Sequence, residues 1–121
     1  MVIRSKAPLR LGLAGGGSDV SPYSDLYGGL ILNATINLSA YCTIETVEGE
    51  TVRIDAYDAD CHVECPLNAS LAEAPDLIRG VYQRIVKDFG PVPGAFRITT
   101  YNDAPAGSGL GTSSTMVVCR S

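Results

Sequence analysis

The chain has 121 residues, a formal net charge of −4, and 45% hydrophobic against 18% charged residues. That length suits one domain with a buried core. No apolar run is long enough for a bilayer span, and the scattered Lys and Arg form no stripe for nucleic acid, so neither a membrane nor a nucleic acid is expected as partner.

Residues 2–13 read as a strand with Leu9, Leu11 and Leu13 on one face. Arg4, Lys6 and Arg10 interrupt its apolar residues, which argues against a signal peptide and points to the cytoplasm. Gly15-Gly16-Gly17 breaks the strand. Ser18 or Asp19 is expected to cap a short helical turn through about Tyr27, with Pro22 near its start and Gly28-Gly29 at its end.

Leu30–Ile36 and Ala40–Val47 are rich in β-branched and apolar residues, and Thr51–Tyr57 alternates. With Glu48-Gly49 as a turn signal, Ala40–Val47 and Thr51–Tyr57 read as a hairpin. Residues 58–74 read as loop. Leu77, Ile78, Val81, Tyr82, Ile85, Val86 and Phe89 then recur at helical spacing, between Pro75 and the stop Gly90-Pro91, and form a core stripe. Phe96–Tyr101 is a further alternating strand, and a helix is expected from Thr112 onward. These elements predict an α+β domain with a mostly antiparallel sheet and one long packed helix.

Cys42, Cys61, Cys65 and Cys119 are expected to be free thiols. Cys61, His62 and Cys65 match no standard zinc spacing, and His62 is the single histidine.

Two segments carry chemistry. In Pro105-Ala106-Gly107-Ser108-Gly109-Leu110-Gly111-Thr112-Ser113-Ser114, glycines allow close backbone approach to an anion, and three hydroxyls follow where a helix should begin. Unpaired N–H groups at such a bend attract phosphate, and the hydroxyls can donate to phosphate oxygens or ligate magnesium. The nucleotide P-loop is excluded by the lack of a Lys after the glycines, and the dinucleotide fingerprint by Thr112 in place of its third glycine. The remaining alternative is a flexible loop that binds nothing. The second segment runs from Ala7 through Arg10 to Gly15-Gly16-Gly17-Ser18-Asp19. Its carboxylate can accept from polyol hydroxyls, and Arg10 can neutralise a phosphate or pair with Asp19. The alternative is a plain glycine turn with Asp19 as a helix cap.

Together these segments resemble the N-terminal part of the GHMP kinases, the superfamily of galactokinase, homoserine kinase and mevalonate kinase. Ala7, Pro8, Arg10, Ser18 and Asp19 match the first family motif, and PAGSGLGTSS fits the phosphate loop P-x-x-x-G-L-x-S-S, with Thr112 as a mild departure. The wording RSKAPLRLGLAGGGSDVSPYSDLYGG followed by LNATINL is similar to the D-glycero-D-manno-heptose phosphate kinase branch.

The resemblance implies an N-terminal domain like the second domain of a small-subunit ribosomal protein, occupying residues 1–121, with a C-terminal domain outside the chain. It implies transfer of phosphate from ATP to a sugar phosphate hydroxyl. Pro105, Gly107, Ser108, Gly109, Leu110, Gly111, Thr112, Ser113 and Ser114 would hold ATP, and Ser113 would ligate Mg. Arg10 would sit by the transferred phosphoryl group, as catalytic residue. Gly17, Ser18 and Asp19 would meet the sugar. Galactokinases place Glu-His where Gly16-Gly17 stand here, so the resemblance implies more room for substrate. No Asp or Glu follows Asp103. The family's carboxylate lies on a later helix, so the chain alone is expected to be inactive and, with its apolar faces exposed, to self-associate as a homo-oligomer. A non-catalytic nucleotide-binding or regulatory module is the alternative.

Overall fold

The computed structural model describes residues 1–67, 71–105, 107–112, 115, 116 and 118. In chain order it holds β1 (Val2–Ala14), α1 (Tyr23–Tyr27), β2 (Leu32–Thr46), β3 (Thr51–Ala56), β4 (Cys61–Pro66), α2 (Asp76–Phe89) and β5 (Phe96–Asn102). The strands form one sheet in the order β1-β2-β5-β3-β4. All pairings are antiparallel except that of β3 with β5. The α+β class and the mostly antiparallel sheet are as the sequence predicts.

Alternation builds the core. Val52, Ile54 and Ala56 of β3 and Phe96 and Ile98 of β5 point to one face, where Ile78 of α2 closes over them with Leu71 and Ala74. Ile78 is 2% exposed, and burying such a side chain contributes about 1.5–3 kcal/mol. A smaller cluster of Leu9, Ala40, Ala104 and Met116, flanked by Ile36, Leu77 and Leu110, lies at the other end. It joins β1 to the segment that follows β5.

On the opposite face, Asp55 is buried yet fully partnered. It meets His62 Nδ1 at 2.8 Å, Arg97 Nε at 2.7 Å and Arg53 Nε at 3.3 Å, and Arg97 reaches Glu45 at 3.5 Å. Burial by itself would raise the Asp55 pKa. The hydrogen bonds from His62 and Arg97 and the charges of both arginines outweigh it and hold the carboxyl below its usual value. One carboxylate thus links β3, β4 and β5.

The fold corrects several local expectations. Leu32–Thr46 is one strand, and no hairpin joins it to β3. The edge of β2 pairs instead with β5, with Tyr41 opposite Tyr101, and β3 lies beyond β5. The Glu48-Gly49 turn therefore carries the chain across the position of β5. The real hairpin is β3–β4, and β4 falls within the stretch expected to be loop. Its burial alternates residue by residue, with Cys61, Val63 and Cys65 half-buried and His62 and Glu64 exposed. The thiols and the imidazole therefore face opposite sides of the sheet.

The leucine stripe of β1 is buried only at Leu9, whereas Leu11 and Leu13 are exposed. The β1–β2 register shifts between Pro8 and Arg10, and β5 ends opposite Ala40, so among the described residues no third strand packs the ribbon beyond. In α2, Phe89 is 85% exposed, because the last turn carries it away from the sheet. Finally, α1 is preceded by Pro22 with no side-chain cap, so neither Ser18 nor Asp19 caps it.

Candidate active site

Two glycine-rich segments about ninety residues apart in sequence meet in one cleft of about 460 Å³. Arg10, Gly16, Gly17 and Asp19 line it from the first segment, and Gly109 and Gly111 from the second. The meeting is fixed by backbone. Arg10 donates its N–H to the Leu110 carbonyl at 3.0 Å, while the Leu110 side chain packs on the small core cluster.

The loop after β5 has the geometry of an anion cradle. Gly107, Gly109 and Gly111 have φ of +77°, +75° and +72°, and they alternate with Ser108 and Leu110, which do not. Alternation of that kind aims successive N–H groups to one side. Around Gly107 and Gly109 nothing lies within 4 Å of where a Cβ would stand, so the backbone is open to a ligand. The Ser108 N–H donates to the Pro105 carbonyl at 3.3 Å, and the Thr115 N–H to the Gly111 carbonyl at 3.0 Å. The second bond opens the expected helical turn, with Thr112 in it. The Thr112 hydroxyl and a nest of amides have the chemistry to receive an anion. Ser113 and Ser114, expected to hold phosphate and metal, lie outside the described residues.

Arg10 is exposed at the cleft and runs along Gly111, where a Cβ would come within 2.9 Å of its Nε. Arg10 and Asp19 form no ion pair with each other, so both remain available to ligands. Asp19 is exposed and lines the cleft, as does Gly17. Ser18 does not line it. Its hydroxyl lies 2.7 Å from the Gly15 carbonyl and 3.0 Å from that of Leu30, and it accepts from the Leu30 N–H at 3.1 Å.

Gly12, Leu13 and Ala14 of the first segment, to which sequence reading gave no role of their own, also line the cleft, as does Ile31, which it missed. Sequence reading also missed that the Gly28-Gly29 doublet supports the site; the doublet itself was the available signal. A second cavity, of about 170 Å³, lies between α2 and the sheet against Ile78, Tyr82, Phe96 and Ile98. Its lining holds no charged group, so it belongs to the core.

A glycine loop leading into a helical turn thus stands beside an Arg-bearing strand and a Ser-Asp turn on this sheet, the arrangement whose sequence motifs resemble the GHMP kinases. The family description "GHMP kinases N terminal domain" matches residues 76–120. The chain is similar to the GHMP kinases over that stretch. Within them it is similar to the D-glycero-alpha-D-manno-heptose 7-phosphate kinase of Campylobacter jejuni, at 46% identity over 96% of the chain and 35% of that protein. The crystal structure of a D-glycero-D-manno-heptose 1-phosphate kinase from Bacteroides thetaiotaomicron superposes with a TM-score of 0.90 at 65% identity, over 99% of the chain and 40% of that one. A bifunctional fucokinase/GDP-fucose pyrophosphorylase of Arabidopsis thaliana is 30% identical over 88% of the chain and 11% of its own length. The chain thus spans about a third or less of the curated relatives it matches.

Proposed function

We propose that the protein carrying this chain transfers the terminal phosphoryl group of ATP to a hydroxyl of a D-glycero-D-manno-heptose phosphate, as a soluble cytoplasmic enzyme. The observation that carries this reading is the shared cleft, in which Arg10 and Asp19 stand beside Gly109 and Gly111. Similarity to two heptose phosphate kinases supports the choice of sugar.

Phosphoryl transfer depends on positioning and on charge stabilisation. The amides of residues 107–112 cradle the polyphosphate, and Arg10 neutralises charge on the group in transit. Asp19 accepts hydrogen bonds from sugar hydroxyls, and Gly16-Gly17 leave space for a seven-carbon sugar. Magnesium, held by Ser113, would shield the phosphate oxygens when bound. No Asp or Glu follows Asp103, so the chain by itself supplies no carboxylate from beyond the phosphate loop. We assign residues 1–121, which cover 35% and 40% of the two heptose phosphate kinases they match, to an N-terminal ATP-binding domain with little or no turnover alone.

A coupled assay with heptose 1-phosphate and heptose 7-phosphate tests the reading on the full-length protein. Phosphorylation of one of them with ATP is expected. Absence of turnover with both, alongside nucleotide binding, would favour a regulatory nucleotide sensor.

A further inference from the structure

The Ser-Asp turn raises a question the cleft does not answer: what holds Asp19 in place. No ion pair or side-chain hydrogen bond to another described residue fixes its carboxylate, and three consecutive glycines precede Ser18. Glycine runs lose much conformational entropy on ordering, so such a turn needs an external anchor.

The anchor is visible one residue before Asp19. The Ser18 hydroxyl is engaged by backbone: its one proton is shared between the carbonyls of Gly15 and Leu30, at 2.7 and 3.0 Å, and its oxygen accepts the Leu30 N–H at 3.1 Å. The same two segments also touch directly. A Cβ at Gly15 would fall 1.9 Å from the Leu30 carbonyl oxygen, and one at Gly29 would fall 2.4 Å from the Ser18 carbonyl oxygen. Only glycine at both positions lets the strands of chain cross this closely. The polar bridge and the steric contact are independent, and both clamp residues 15–18 against residues 29–30.

We propose that Ser18 is a positioning residue rather than a sugar ligand: its hydroxyl latches the Gly15–Asp19 turn to the Gly29–Leu30 backbone and thereby sets the Asp19 carboxylate at the cleft. This rests on the reading of Asp19 as a sugar contact. Loss of the latch lets the turn drift, and misplacement by about 1 Å costs roughly 10- to 100-fold in a positioned interaction.

The test uses the full-length protein with steady-state kinetics in both substrates. Ser18→Ala is expected to raise KM for the heptose phosphate roughly tenfold or more while KM for ATP stays within about twofold. Ser18→Thr keeps the hydroxyl and is expected to restore the sugar KM. Gly29→Ala leaves the hydroxyl intact but wedges the crossing apart, and is expected to reproduce the Ser18→Ala pattern. Amide hydrogen exchange at Leu30 is expected to accelerate in Ser18→Ala and to recover in Ser18→Thr, a readout that stands even if Gly29→Ala does not fold. An unchanged sugar KM or unchanged Leu30 exchange in Ser18→Ala overturns the latch. So does a raised sugar KM in Ser18→Ala with none in folded Gly29→Ala, since the hydroxyl would then touch the sugar itself. Asp19→Asn separates the two readings: if it leaves the sugar KM unchanged, the assignment of Asp19 fails, whatever Ser18 does.

Discussion

Arg10 and Leu110 are joined by a backbone hydrogen bond of 3.0 Å, and this bond brings the N-terminal strand against the phosphate loop. Because the bond is main-chain, it survives side-chain substitution at either residue. The Arg10 guanidinium can therefore be removed without dismantling the cleft. In the full-length protein, Arg10→Ala is expected to lower kcat by about 10²–10³-fold, the scale for losing one charge-stabilising group. Thermal unfolding should move little, and steady-state kinetics beside a melting curve would check both.

Gly111 meets Arg10 from the other side. Alanine there faces two obstacles, a φ of +72° and a Cβ 2.9 Å from Arg10 Nε. Arg10 is a flexible side chain and gives way, so the φ strain dominates stability, at about 1 kcal/mol. The displaced guanidinium should cost kcat more than KM for ATP. Equal loss in both would place the damage in the loop rather than in Arg10.

Asp55 gives the fold an acid limit. Its pKa is lowered in the folded state, so it contributes stability that is present above its unfolded value near 3.8 and is lost as pH falls through the folded one. Stability from this group should be flat from pH 7 to 5 and should decline below about 4. Asp55→Asn should destabilise at pH 7, because partly solvated Arg97 and Arg53 lose a buried counter-charge, and should flatten the acid limb. Denaturant titrations at a series of pH values read both effects.

Two residues of the same helical stripe should respond very differently. Ile78 is 2% exposed and Phe89 85% exposed. Ile78→Ala should destabilise by about 2–5 kcal/mol, as for other buried aliphatic truncations. Phe89→Ala should stay within about 0.5 kcal/mol if that face of the last turn has no partner in solution. A large loss at Phe89, measured by chemical denaturation, would show that another surface covers it.

What the sequence alone determined was local. The glycine loop, its hydroxyls, the Ala-Pro-x-Arg strand and the α2 stripe all follow from short-range chemistry, which is why the motifs were legible and with them the family resemblance. Tertiary structure decided which edges met. The 40–47 and 51–57 runs looked like a hairpin because strand adjacency is the usual rule, yet β5, about fifty residues later, takes the edge of β2. Nothing near Glu48-Gly49 encodes that competition. The β4 strand was hidden because Pro66, His62 and the single charged residue Glu64 mask a real alternation. The role of Ser18 was equally invisible, since its partners at Gly15 and Leu30 come together only when two glycine turns cross. Local propensity sets what each segment can be. The choice among partners is made by burial and backbone pairing, which exist only once the sheet has assembled.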